Sequence, residues 1–288
     1  MERIIIKNNY QEHLVGVIGD PVDTNPTVVI QQAAFNEHRL PYRYLTIQVR
    51  EKDLEAAMNG LRAMNFTGIN ITMPHKLKVL QYLDDVTDSA KLIGAVNTVY
   101  WQGSKLCGDN TDGKGLIQSL RDNEIIIEGK NAVILGAGGA ARAIAVELAN
   151  ENIKNIIICN TNRHRGEDLV NLLNNNTLTN AKYFFWNEKY SLPSDTDILI
   201  NATSVGFVDP TQYPNINYDS IFPNMIVCDV IPDSTSTIFL DKAASRGCTV
   251  LNGLEMLVNQ GALAYELWTG KPAPVNVMFK ALLQEYEN

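Results

Sequence analysis

Residues 131–148 read NAVILGAGGAARAIAVEL, and no other stretch limits the possible folds as tightly. The segment before Gly136 is almost wholly apolar and reads as a buried strand. The segment after Gly139 carries small and apolar residues at helical spacing. Gly136, Gly138 and Ala141 fit the pattern G-x-G-x-x-G/A in the strand–turn–helix context that gives it meaning. The first glycine permits a tight turn, the second lets a pyrophosphate approach the backbone, and Ala141 is small enough for helix-on-sheet packing. Backbone N–H groups along Gly136, Ala137, Gly138, Gly139 and Ala140, with the positive end of the helix dipole, would hold the phosphates.

The segments that follow predict a complete nucleotide domain. NAVIL, NIIIC, KYFFW, DILINAT, MIVCDVI and TVLNG read as strands, and six is the number in a doubly wound dinucleotide fold. NIIIC ends at Asn160, Thr161, Asn162, Arg163, His164 and Arg165. An acid there would bind the ribose hydroxyls of NAD, whereas arginines accommodate the 2′-phosphate of NADP. With two arginines and no acid, the loop leans toward NADP, with NAD and a plain solvated loop left open. After the last strand, LEMLVNQGALAYELWTG predicts a long helix ended by Gly270 and Pro272. Asn174–Asn176 reads as a loop.

Nearly half of the chain precedes this cradle, and 288 residues suggest two domains. HLVGVIG, YRYLTIQV and GINIT read as strands, and TVVIQQAAFNEH, KDLEAAMNGLRAM and HKLKVLQYL as helices. AVNTVYWQGSKLCG predicts a hairpin turning at Gln102-Gly103. The alternation predicts an α/β domain with a mostly parallel sheet. A formal net charge of −8 argues against nucleic acid or an anionic membrane as partner. Cys107, Cys159, Cys228 and Cys248 lack metal-ligand spacing; three lie in or beside apolar runs and read as buried thiols. His13, His38, His75 and His164 form no ligand set either, so no metal is expected. The amino terminus is too weakly apolar for a signal peptide, and no run approaches the ~18 apolar residues of a spanning helix. The expectation is a soluble, cytoplasmic protein in a reducing compartment, a monomer or homodimer.

Two clusters ahead of the cradle suggest chemistry. GINITMPHKLKVL places Lys76 just after a strand end and a proline turn, and GDNTDGKG places Asp112 in a turn before a helix. Each alone also suits a solvated lysine or a helix cap. With KLIGAVNTV, ILGAGGAARA, INATSVG and LEMLVNQGALAYELWTG, in this order, the chain resembles the shikimate dehydrogenase family, including its quinate/shikimate branch. The resemblance covers nearly the whole sequence. It implies a substrate domain (1–108 and 253–288), a Rossmann domain (109–252), and a cleft between them, the last helices returning to the substrate domain. It implies Lys76 and Asp112 as a catalytic pair, with Thr72, Asn97 and Gln260 contacting a cyclic polyol. It extends the NAD(P) site to Thr203, Val205 and Gly253.

Such an enzyme moves a hydride between the nicotinamide and a ring hydroxyl or ketone of shikimate, quinate or a related polyol. Reducing a ketone also needs a proton on oxygen, which a positioned lysine can supply. A paralogue with another cyclic substrate, or a nucleotide sensor without catalysis, are the alternatives. The family's Ser-x-Ser-Pro turn, which binds the substrate carboxylate, is replaced by Val22-Asp23-Thr24-Asn25-Pro26. Thr24 and Asn25 are the candidate substitutes. A family tyrosine is replaced by Ile231-Pro232-Asp233, and Thr161 stands where the cofactor loop carries arginine. A substrate carboxylate is therefore expected to be held less well here.

Overall fold

A computed structural model describes residues 10–232 and 236–287. The first half runs β1 (His13–Gly19), α1 (Thr27–Glu37), β2 (Tyr42–Gln48), α2 (Leu54–Ala63), β3 (Gly68–Ile71), β4 (Asp85–Val86), α3 (Asp88–Ile93), β5 (Thr98–Gln102), β6 (Lys105–Asp109) and α4 (Thr111–Asp122). The second runs β7 (Asn131–Leu135), α5 (Gly139–Asn150), β8 (Asn155–Asn160), α6 (Arg163–Asn176), β9 (Asn180–Phe185), β10 (Ile198–Asn201), β11 (Ile226–Asp229), α7 (Ile238–Ala244), β12 (Thr249–Leu251), α8 (Gly253–Thr269) and α9 (Val275–Glu287).

Two six-stranded sheets result among the described residues, ordered β2-β1-β3-β5-β6-β4 and β12-β11-β10-β7-β8-β9. Every pairing in the second is parallel. Its order reverses between β7 and β10, the doubly wound arrangement whose switch point receives ligands at the carboxyl ends of the strands. The first sheet is mostly parallel, as expected, with β5 the one reversed strand among the described residues and β4 parallel to β6. β1 pairs in parallel with β2 and β3, but β5 lies antiparallel to both β3 and β6. The reason is the hairpin: strands joined by two residues can only run antiparallel. Its turn is Gly103-Ser104, one residue later than expected, since Gln102 still pairs with Lys105.

The HKLKVLQYL segment forms turns and a short 3₁₀ stretch, Lys78–Tyr82, instead of an α-helix. The Lys76 carbonyl accepts from the Val96 N–H at 2.9 Å, so it is committed across the fold rather than to a helical ladder. That tie fixes the backbone of Lys76 beside the segment leading into β5.

Two helices from the end of the chain complete the first sheet. Val15, Val17 and Phe35 share one core cluster with Leu254, Val258, Tyr265, Trp268, Met278 and Leu282. α4 joins the two halves. A Cβ on Gly113 would sit 2.4 Å from the Ala143 carbonyl of α5, and one on Gly115 would sit 2.7 Å from the Met256 carbonyl of α8. Both glycines of this helix are therefore set by close backbone approach, not by a turn.

Candidate active site

The site begins at the amino end of α4. Asn110 caps the helix, its side chain accepting from the Asp112 N–H at 3.1 Å, and this sets the Asp112 carboxylate in the first turn. A carboxylate at a helix N-terminus is favoured by the unpaired N–H groups there. Asn97, just before β5, accepts from the Thr111 N–H at 2.8 Å and donates to Asp112 Oδ1 at 2.7 Å. Lys76 Nζ lies 2.6 Å from Asp112 Oδ2. Each carboxylate oxygen thus has one partner, and the lysine head is held by a group that is itself held. The Lys76 and Asp112 side chains keep 29% and 19% of their exposure, so both still face open space.

That space is a cavity of about 240 Å³. Its walls include Lys76, Asp112, Asn97, Thr72 and Gln260, residues brought together from separate elements. Ala140 and Gly253, from the cofactor set, line it from the nucleotide domain and the start of α8, with Val230, Pro232, Met256 and Leu257 adding apolar surface. Gln260 Oε1 also lies 3.4 Å from Asn97 Nδ2, linking α8 to the pair. Of the two expected turn residues, Asn25 lines the cavity. Thr24 does not: it is exposed, and Thr27, in the first turn of α1, takes its place. The turn carries Thr24 outward because the Asn25 side chain folds back to accept from the Thr27 N–H at 3.0 Å. Ile231 is buried, Pro232 lines the cavity, and Asp233 lies outside the described residues. His75 is fully buried with Nε2 on the Val49 carbonyl at 2.6 Å, facing away from the site.

The cradle fits a dinucleotide. Gly136 has φ of +113°, and a Cβ there would meet the Ala202 carbonyl at 2.8 Å. Gly138 and Gly139 face open space, and Gly138 is the N-cap of α5 with no side-chain cap and no acid in the first turn. Unclaimed N–H groups before open space suit a pyrophosphate. Ala141 is fully buried against the sheet. The Gly253 position is fixed by packing, as a Cβ would lie 2.3 Å from the Ile231 carbonyl. Along the loop after β8, Asn160 donates to the Asn162 carbonyl and Thr161 is exposed. Arg163 pairs with Glu167 at 3.3 Å and lies over the Phe185 ring, while Arg165 is exposed.

The sequence missed the polar group that shapes the loop after β10. Asn201 accepts from the N–H and hydroxyl of Thr203, and the Thr203 hydroxyl accepts from the Val205 N–H. Asn201 also donates to Asp229 at 3.0 Å, at the end of β11. A carboxylate closing the apolar run MIVCD was the available signal. Asn70, on β3, was likewise missed; it joins Tyr44, Thr98 and the Asn97 carbonyl under the site. Among the described residues, no three His, Cys, Asp or Glu side chains gather to hold a metal ion. No helix there is long and apolar enough to cross a membrane.

A nucleotide cradle opening toward a buttressed lysine–carboxylate pair defines the class: an NAD(P)-dependent oxidoreductase acting on CH–OH. Residues 17–99 match the shikimate dehydrogenase substrate binding domain, 120–207 match shikimate / quinate 5-dehydrogenase, and 253–283 match the shikimate 5′-dehydrogenase C-terminal domain. The chain belongs to the shikimate dehydrogenase family. A curated relative, shikimate dehydrogenase (NADP(+)) of Alkaliphilus oremlandii, is 39% identical over 93% of this chain and 96% of its own. Among solved structures, the 5-ketofructose reductase of Gluconobacter sp. strain CHM43 is 43% identical with a TM-score of 0.94, over 96% of this chain and all of its own. The shikimate 5-dehydrogenase of Listeria monocytogenes, solved with shikimate and NAD, is 34% identical with a TM-score of 0.88, over 96% and 98%.

Proposed function

We propose that the chain catalyses reversible hydride transfer between a nicotinamide and a ring C–OH or ketone of shikimate, quinate or a related cyclic polyol. The observation that carries this reading is the Lys76–Asp112–Asn97 chain on a cavity that the phosphate loop also lines through Ala140. When bound, NAD(P) supplies or accepts the hydride. In the reducing direction the carbonyl carbon gains that hydride while Lys76 Nζ gives a proton to the carbonyl oxygen, completing a secondary alcohol. In oxidation the proton returns to Lys76 and the hydride leaves the carbon. Asp112 orients the lysine, and Asn97 fixes Asp112. Asn97 and Gln260 offer amide donors and acceptors suited to hydroxyls. Residues 1–108 with 253–288 act as the substrate domain and 109–252 as the nucleotide domain.

The test is initial-rate cofactor reduction with a panel of cyclic polyols, in wild type and Lys76→Ala. Loss of a general acid–base should lower kcat by about 10²–10⁴-fold. Cofactor affinity, measured by nucleotide fluorescence, should hardly change. Undiminished turnover in the variant would remove Lys76 from the chemistry.

We also infer a preference for NADP, supported by Arg163 and Arg165 at the turn after β8 and by the absence of an acid there. The comparison is kcat/KM for both cofactors at one substrate concentration. Replacing both arginines with alanine should lower the NADP/NAD ratio about tenfold, one charge-assisted contact being worth ~1.5 kcal/mol. An unchanged ratio would count against it.

A further inference from the structure

The relatives of this chain, by name, span a carboxylated ring and a keto sugar, and the cavity itself discriminates between them. Resting on the hydride-transfer reading above, we propose that the site selects an uncharged polyhydroxylated ketone or alcohol of monosaccharide size over a carboxylated ring. Only two ionisable side chains line the cavity among the described residues, Lys76 and Asp112. They pair at 2.6 Å, so the wall carries no net charge. The other polar groups are neutral amides and hydroxyls: Asn25, Thr27, Asn70, Thr72, Asn97 and Gln260. Such groups both donate and accept, as hydroxyls and ketones require, whereas a carboxylate only accepts.

The wall at α1 is a helix N-terminus, yet two of its first-turn donors are already taken. Pro26 has no N–H, the Thr27 N–H is bonded to Asn25 Oδ1, and the Val29 N–H is bonded to the Pro26 carbonyl. Asp20 and Asp23, in the same turn, add negative charge rather than positive. The Thr27 and Thr72 hydroxyls line the cavity and, among the described residues, have no protein partner through their oxygens, ready for neutral hydroxyls. Asn70 is already committed to Tyr44, Thr98 and the Asn97 carbonyl. A carboxylate entering here would give up its water for few donors, and Lys76, the cation on the cavity wall, is already paired with Asp112. The chemistry is unchanged: hydride to the carbonyl carbon, and the Lys76 proton to its oxygen.

The experiment measures NADPH and NADH oxidation by the wild-type chain with 5-ketofructose and with 3-dehydroshikimate, and NADP+ reduction with shikimate and its methyl ester. The expected result is a kcat/KM for 5-ketofructose at least about 100-fold above that for 3-dehydroshikimate, the loss from roughly two unmade charge-assisted hydrogen bonds. Methyl shikimate should match or exceed shikimate. Asn25→Lys, which adds a cation to that wall, should raise the 3-dehydroshikimate/5-ketofructose ratio at least tenfold. A micromolar KM for 3-dehydroshikimate, with the keto sugar poorer, overturns the inference and leaves the hydride-transfer reading standing. No turnover of any of the four by wild type, despite nucleotide binding, overturns both.

Discussion

Asp229 shows how much a single buried carboxylate can decide. It is 2% exposed and accepts from Thr237 at 2.8 Å, Asn201 at 3.0 Å and the Ile231 N–H at 3.3 Å. Burial pushes its carboxyl up to about 6, against hydrogen bonds from Thr237, Ile231, Asn201 and Val230 that act the other way. The folded state therefore holds the proton more tightly than the unfolded chain, whose aspartate titrates near 3.8. This contribution to stability is full below about pH 4, is lost as pH rises to about 6, and is level beyond. Asp229→Asn stays neutral throughout and keeps an acceptor for Asn201. Urea midpoints from pH 4 to 7 should show the variant gaining on wild type by up to ~3 kcal/mol across that window. A pH-independent difference would show that the carboxylate is not the titrating group. Because Asn201 also orders Thr203 and Val205, the same carboxylate braces a loop of the nucleotide domain.

The strand–turn–helix from β7 to α5 separates two uses of glycine. At Gly136, a positive φ and the nearby Ala202 carbonyl both exclude a side chain. Gly136→Ala should destabilise the protein by ~1–3 kcal/mol in urea unfolding. At Gly138, φ is −84° and a Cβ would meet nothing within 4 Å. Gly138→Ala should therefore change stability by less than ~0.5 kcal/mol. Its methyl would instead stand where a pyrophosphate approaches, and the nucleotide Kd should rise at least tenfold. An unchanged nucleotide Kd in Gly138→Ala would mean that the open face before α5 is not the phosphate site. α4 uses glycine in a third way, with Gly113 and Gly115 letting α5 and α8 come close to its backbone. That closeness holds Asp112 and Gln260 at one cavity.

Across the molecule, the first sheet depends on the last two helices. Met278 and Leu282 of α9 are fully buried in the cluster that contains Val15 and Phe35. Leu282→Ala removes buried volume from the first half, although it lies some 270 residues from β1 in the chain. It should lower unfolding free energy by ~2–5 kcal/mol and leave nucleotide affinity unchanged in the folded protein. Unaltered stability would mean that α9 is not part of that core. The halves are joined elsewhere by Ser89 of α3 bonded to Glu147 of α5, and by Arg142 of α5 bonded to the Ile93 carbonyl.

The strands, the long helix and the phosphate cradle were legible in the sequence because periodicity, a glycine turn and a small residue at a helix start act within a few positions. The Lys76–Asp112 pair could be named from the sequence too, though only through the order of whole motifs. Its geometry was not local: the two residues are 36 apart in sequence, and Asn97 meets Gln260 across 163. Contacts over such separations depend on how sheets and helices stack, which no window of sequence contains. The same reason explains the turn segment after Pro74 and the replacement of Thr24 by Thr27 at the cavity wall. Sequence alone determined most of the strands and helices and which chemistry-bearing residues are available, but not the turn segment after Pro74 nor the last turn of α6, where Asn174–Asn176 are helical and not the expected loop. Tertiary structure decided which of them share a cavity, because backbone approach between α4, α5 and α8, not residue type, sets those distances.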